Sequence, residues 1–149
     1  MALIAVAITA AFQACSSDNE PEGPVVPDYL TVGTDQRPIN WQTPDYRQFE
    51  LTMSLQVQLG DTLVNFQSNQ DLMCVVINNE VRAVTEPKST LGEVYFPLVI
   101  AGNGNEGAMT LSYYCDRLHR IYSIPNWSTF NPSIAPSGNS GIYRPEFTK

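Results

Sequence analysis

The strictest pattern in the chain is an alternation of apolar and polar side chains over residues 49–59. All six odd positions are apolar and all five even positions are polar. Successive side chains of a β-strand point to opposite faces of a sheet, so this period of two predicts a long strand with one buried and one solvated face. The apolar members are Phe49, Leu51, Met53, Leu55, Val57 and Leu59.

Further short strands separated by turn residues are predicted along the chain, at residues 62–67, 72–77, 80–84, 93–101, 109–115 and 120–124. Asn78–Asn79 is expected to form a hairpin turn, because asparagine tolerates positive φ. Pro97 has no N–H, which predicts an edge or a bulge at that point of its strand. Residues 86–90 are expected to form a loop. Short strands without helical periodicity predict an all-β fold, a single antiparallel β-sandwich of the Ig-like or jelly-roll-like kind.

An apolar run ends, and a polar one begins, at Cys15. Residues 1–14 carry no charge, and this run is shorter than the about 20 residues that a membrane-spanning helix needs. Its length and small residues fit the core of an export signal. The segment from Phe12 to Cys15 resembles the lipobox of bacterial lipoproteins, in which the cysteine becomes the acylated N-terminus. The alternative is that residues 1–14 form a buried strand or helix and that Cys15 is an ordinary cysteine of the core. Because no basic residue precedes Arg37, we expect the translated chain to begin upstream.

The stretch behind Cys15 is rich in proline and acid. Residues 16–38 hold four prolines and five acidic residues, with no base before Arg37, a composition that predicts an extended tether. We therefore divide the chain into a signal peptide (residues 1–14), a tether (15–38) and a β-sandwich domain (39–149). Ser16 and the acidic run resemble the surface-export signals of some Gram-negative gut bacteria. That resemblance implies an outer membrane lipoprotein held by its lipidated Cys15, on either the periplasmic or the external side.

Most of the net charge belongs to the tether. The chain carries a formal charge of −7, but without the tether's five acidic residues the remaining ten face eight basic ones. A nucleic-acid-binding protein needs a basic patch, and none is visible. Nucleic acid is therefore excluded as a partner class.

Residues 40–148 resemble a β-sandwich module found in exported proteins of gut anaerobes, usually of unknown function. The matching residues are Trp41, Pro44, Met53, Asp71, Asn78, Asn79, Glu80, Arg82, Gly102, Asn103, Tyr113, Tyr114, Phe130, Gly141 and Pro145. Cys74 and Cys115 stand where the module usually has Ala and Asp. In an oxidising compartment they could form a disulfide, which in the chain-entropy model contributes about 4 kcal/mol; the alternative is two free, buried thiols.

No catalytic or metal-binding motif occurs in the sequence. His119 is the only histidine, so a histidine-rich metal site is impossible, and we expect it to be a turn residue with left-handed backbone angles. Glu80 and Arg82 lie two apart on a strand, which favours a pairing role between strands. We predict no enzyme activity, no cofactor and no metal.

Aromatic side chains offer the best route to a binding function, because their flat faces suit sugar rings. Trp41, Tyr95, Tyr114, Tyr122 and Trp127 are expected to be partly exposed. We take Trp41, Tyr95 and Trp127 as candidate ligand-binding residues; alternatively, the two tryptophans cap open edges of the sandwich. The predicted function is a lipid-anchored, non-catalytic binding or adhesion module with a glycan as ligand. The alternatives are a subunit of a surface assembly joined by strand addition, with a surface protein as partner, and a small hydrolase with paired carboxylates.

Overall fold

The computed structural model describes residue 23 and residues 31–60, 62–104, 106–133 and 141–147. Cys15 and the predicted signal peptide lie outside these residues. The strands of the described part are β1 (Thr31–Gly33), β2 (Leu51–Val57), β3 (Leu72–Ile77), β4 (Glu80–Thr85), β5 (Lys88–Thr90), β6 (Glu93–Gly102), β7 (Ala108–Cys115), β8 (Arg120–Thr129) and β9 (Ile142–Tyr143). Two short 3-10 helices cover Tyr46–Gln48 and Leu63–Phe66.

The strands form two sheets, which confirms the all-β sandwich. The five-stranded sheet has the order β1-β8-β7-β3-β4, and the four-stranded sheet has the order β5-β6-β2-β9. Neighbouring strands are antiparallel except β9, which runs parallel to β2.

The core lies between the two sheets and is built from alternate residues of their strands. In β2 the odd positions from Met53 to Val57 are buried and the even positions are exposed, as the alternation predicts. From the opposite sheet, Tyr113 and Tyr122 are fully buried against this layer. Burial of such apolar and aromatic surface is the main stabilising contribution in a domain of this size.

Several turn predictions are confirmed. Asn78 and Asn79 have φ values of 51° and 63° and join the paired residues Ile77 and Glu80, as in a two-residue hairpin. His119 lies in the β7–β8 turn with a φ of 50°. Among the described residues β5 pairs with β6 only up to Tyr95, so at Pro97 one side of strand β6 has no partner strand, and a proline is tolerated when its missing N–H faces that side.

Three predictions are wrong. Residues 62–67 contain a 3-10 helix instead of a strand: Leu63 and Phe66, three apart, both pack on the core, as the three-residue turn of that helix requires. Lys88–Thr90 is a strand, not a loop, because the hairpin with β6 supplies its hydrogen bonds. The sandwich also begins before residue 39, since Thr31–Gly33 pairs with β8.

The disulfide does not form: Cys74 and Cys115 are both free and buried. Met73 pairs with Tyr113 and contributes to the core. Cys74, the next residue, therefore faces the outer side of the sheet, while Cys115 belongs to the core. The sheet itself separates the two thiols. Burial raises the pKa of Cys74 to about 12, so this thiol stays protonated at neutral pH.

Candidate functional site

A groove of about 590 Å³ lies where residues 37–43 pass the outer face of the five-stranded sheet. On the sheet side its floor is Leu72 of β3 and Val84 of β4. Trp41, which is half-buried, lines the groove from the N-terminal segment. An aromatic ring beside aliphatic side chains is typical of the apolar part of a ligand site.

Arg37 fastens the N-terminal segment to the sheet. Its Nη2 donates to Glu86 Oε1 at 2.7 Å, and its Nη1 donates to Gln70 Oε1 at 3.3 Å. Glu86 directly follows β4 and Gln70 lies just before β3. These contacts hold the segment that forms one wall of the groove. The positive charge of Arg37 is neutralised by Glu86 of the same protein.

A second hollow of about 300 Å³ lies on the outer face of the four-stranded sheet. Strand register explains its composition: Lys88 of β5 is opposite Tyr95 of β6, and Gln56 of β2 is opposite Pro97 of β6. Residues that face each other across neighbouring strands bring their side chains to the same face. Lys88 lines this hollow and the groove as well, so it is a residue that the two depressions share.

A chain of hydrogen bonds continues from Tyr95 across the outer face. The Tyr95 hydroxyl donates to Glu93, Gln58 Nε2 donates to Glu93 Oε2 at 3.1 Å, and Arg144 Nη2 donates to Gln58 Oε1 at 2.6 Å. The bond from Tyr95 is the largest cause that lowers the pKa of Glu93, followed by the bond from Gln58. The same bond raises the pKa of Tyr95. The ring of Tyr95 is thereby held at a fixed edge of the hollow.

Trp41 lines the groove and Tyr95 lines the hollow, each together with Lys88, whereas Trp127 lines neither. Trp127 is half-buried, packs against the core and lies 5.1 Å from the ring of Tyr143, as expected of a residue that caps the sandwich. Its Nε1 is buried without a hydrogen-bond partner among the described residues.

The expectation that Tyr114 and Tyr122 are exposed is wrong. Both are buried, Tyr122 within the core, where its ring stacks on Tyr113 at 6.3 Å between centroids. Strand alternation alone could not reveal this, because both faces of this sheet are covered near β7.

Sequence reasoning missed Lys88, Arg37 and Glu86. Glu86 and Lys88 fell in the segment predicted as a loop, and Arg37 in the predicted tether. The pairing of β5 with β6 could have been anticipated only from the two-residue turn between them, and Leu91 is an unusual residue for such a turn.

Two buried acidic residues are fully engaged in the fold. Asp71 accepts hydrogen bonds from Ser68 N, Ser68 Oγ, the Tyr113 hydroxyl and Asp116 N, at 2.7 to 3.0 Å. Glu106 accepts from Arg82 Nη1 at 2.7 Å and from Asn103 N at 3.0 Å. These contacts tie loops to strands, which gives both carboxylates a structural role.

Arg82 is the extra residue of a β-bulge. Val75 pairs with Ala83, and Val76 pairs with Val81, so Arg82 has no opposite residue and its side chain is redirected. The guanidinium reaches Glu106 and, at 3.1 Å, Glu80, and lies 4.5 Å from the centre of the Phe49 ring. The predicted pairing of Arg82 between strands is wrong, because the bulge leaves it without an opposite residue and its ion pairs are with the β6–β7 loop and with its own strand.

Within the described ranges, no cluster of three or more His, Cys, Asp or Glu side chains could hold a metal ion. No helix in that part of the chain is long and apolar enough to cross a membrane. Comparisons with protein-family models, with curated proteins and with solved structures found no match.

Proposed function

We propose that this protein is a lipid-anchored, non-catalytic binding module of the bacterial outer membrane, and that its ligand is a glycan bound in the groove and the adjoining hollow. One observation carries the proposal. Trp41 and Tyr95, both candidate stacking residues from the sequence, line two depressions that share Lys88 as a lining residue.

The chemistry of the lining suits a sugar. Trp41 and Tyr95 offer aromatic faces for the apolar C–H side of sugar rings. Gln56, Thr90 and Lys88 supply hydrogen-bond donors and acceptors in the hollow of Tyr95. The ion pair of Arg37 with Glu86 and the bond of Tyr95 to Glu93 hold the lining in place before a ligand arrives. Such pre-organisation reduces the entropy that binding costs.

A glycan array with the full chain, purified in detergent, tests this function. We expect binding to at least one class of oligosaccharide, reduced at least tenfold by Trp41→Ala and by Tyr95→Ala. Trp127→Phe is the matched control, because it keeps an aromatic residue in the cap and lies outside both depressions; it should leave binding unchanged. If no oligosaccharide binds, the proposal fails.

The anchor is tested separately by mass spectrometry of the protein extracted from membranes. We expect a mature N-terminus at Cys15 that carries acyl chains, since more than one chain is needed for a stable anchor. A mature chain that begins upstream of Cys15 without a lipid would contradict the anchoring.

Strand addition is a second candidate function, favoured by one edge of the four-stranded sheet. Among the described residues, β9 pairs with β2 only at Gln56 and Val57, so residues 51–55 of β2 are paired on the β6 side alone. Two other edges are protected: β4 carries the bulge at Arg82, and β8 beyond its short pairing with β1 contains Pro125. Bulges and prolines are devices that keep edges from pairing. A regular edge that has no partner strand among the described residues is where an extended segment of another chain could add.

The oligomeric state tests this second candidate. Strand addition predicts a mass that grows with protein concentration in sedimentation, and a monomer for Leu51→Lys, since a lysine at the edge opposes pairing. Leu51 is 39% exposed, so the change is compatible with folding. Val99→Lys is the control: Val99 is similarly exposed, at 42%, but lies on β6, opposite Ser54. A monomer at every concentration would exclude this function.

A further inference from the structure

Lys88 is the one cation of the two depressions that no carboxylate of the described residues neutralises. Arg37 forms an ion pair with Glu86 at 2.7 Å. Glu93, the carboxylate beside Tyr95, is stabilised by Arg144, whose positive charge contributes to lowering its pKa. No acidic side chain of the described residues lies within salt-bridge distance of the Lys88 ammonium.

Lys88 also occupies the central place. It lines the groove together with Trp41 and the hollow together with Tyr95, and its opposite residue across the β5–β6 pair is Tyr95 itself. A ligand that occupies both depressions therefore meets Lys88 in each of them.

The local charge differs from that of the whole chain. The two cations and the single carboxylate that line the groove leave one positive charge, whereas the chain carries −7. Long-range attraction therefore does not bring anions to this protein, and the ammonium of Lys88 acts only at short range. A cation with no internal partner, beside surfaces that suit sugar rings, fits an anionic group on the ligand.

We propose that the glycan is acidic, and that its carboxylate or sulfate group binds the ammonium of Lys88, the residue that the groove of Trp41 and the hollow of Tyr95 share. This inference rests on the proposed glycan-binding function and narrows its substrate class. Carboxylate and sulfate share the chemistry that Lys88 recognises, as an ammonium binds either one as a point charge.

Titration calorimetry of the full chain with three oligosaccharides of equal length tests the inference: a uronate-containing one, a sulfated one and a neutral one. We expect at least one acidic oligosaccharide to bind about tenfold more tightly than the neutral one at low salt, and the difference to shrink as salt is added. The relative affinity for the uronate and for the sulfate identifies the anionic group.

Three variants test whether Lys88 causes the preference for acidic oligosaccharides. Lys88→Gln should lower the affinity for the acidic oligosaccharide about fivefold and leave that for the neutral one unchanged, while Lys88→Arg should retain acidic binding. Lys88 is exposed on a short edge strand, so these variants are expected to fold. Arg47→Gln is the matched control: it removes one positive charge from a side chain that is 90% exposed and lines neither depression, and it should change nothing.

The outcomes separate the two proposals. Neutral binding that depends on Trp41 but is as strong as acidic binding, and is unaffected by Lys88→Gln, would overturn the acidic ligand and leave the glycan-binding function standing. Failure of every oligosaccharide to bind, both in calorimetry and on the glycan array, would overturn both. Equal losses for Lys88→Gln and Arg47→Gln would also overturn the inference, since the effect would then come from net charge alone.

Discussion

Leu91 has a backbone conformation that is unfavourable for a leucine. It forms, with Gly92, the two-residue turn between Thr90 and Glu93, and its φ is 53° while its side chain is fully exposed. Leucine in the left-handed region is strained by about 1 kcal/mol or more, and no burial compensates for it here. The equivalent turn at Asn78–Asn79 uses residues that tolerate such angles.

We expect Leu91→Asn to raise the free energy of unfolding by about 0.5–1 kcal/mol, because it relieves this strain without loss of packing. The midpoint of urea unfolding measures the change. Asn78→Leu, which introduces the same strain at the other hairpin, should lower the midpoint by a comparable amount. A lower midpoint for Leu91→Asn would mean that Leu91 makes a stabilising contact.

The hydrogen bond between Tyr95 and Glu93 makes the stability of the candidate site depend on pH. The pKa of Glu93 is lowered in the folded chain, first by the hydrogen bond from Tyr95. A carboxyl whose folded pKa is depressed stabilises the protein above its unfolded pKa, near 4.3, and that contribution is lost as the pH falls through the folded pKa. Tyr95→Phe should therefore raise the pKa of Glu93, as followed by carbon NMR of its carboxyl group. An unchanged titration would show that Tyr95 does not hold this carboxylate in solution.

At the scale of elements, the bulge at Arg82 joins β4 to the loop between β6 and β7. The side chains of Arg82 and Glu106 are only 5% and 6% exposed, so the pair is removed from water. Glu106→Gln leaves the guanidinium without its main counter-charge and should lower the free energy of unfolding by about 3 kcal/mol. Glu80→Gln is the control, because Glu80 is 68% exposed and such pairs contribute about 0–1 kcal/mol. Similar losses in urea unfolding for both variants would contradict the assigned burial.

The elements that the sequence predicts well are those whose pattern depends on one strand alone. The alternation from Met53 to Val57 follows from a strand with one buried face, and the turn at Asn78–Asn79 follows from the residues themselves. By contrast, the bulge at Arg82 depends on how β4 aligns with β3, and the strand at Lys88–Thr90 depends on hydrogen bonds from β6. In the candidate site, Trp41 and Tyr95 were predicted from chemical type, whereas their common neighbour Lys88 required the register of β5 on β6.

At the scale of the whole molecule, the sandwich begins at β1 and not at residue 39. Residues 31–37 add the pairing of β1 with β8, the hydrogen bond from Thr34 N to His119 O at 2.9 Å and the ion pair of Arg37. Removal of residues 1–38 should therefore cost about 2 kcal/mol of unfolding free energy, while removal of residues 1–30 should leave the urea midpoint unchanged. Equal midpoints for the two truncated chains would return the domain boundary to residue 39.

The short length of β1 has a mechanical consequence for a protein held at its N-terminal end. Tension that arrives from residue 30 reaches β1 first, and β1 is joined to β8 through only three residue pairs. The ion pair between Arg37 and Glu86 carries the load next, ahead of the long strands that enclose the core. Under a steady pull, β1 should thus separate from β8 at low force and lengthen the segment that leads to the proposed anchor, while the two aromatic depressions keep their shape until the ion pair of Arg37 with Glu86 breaks.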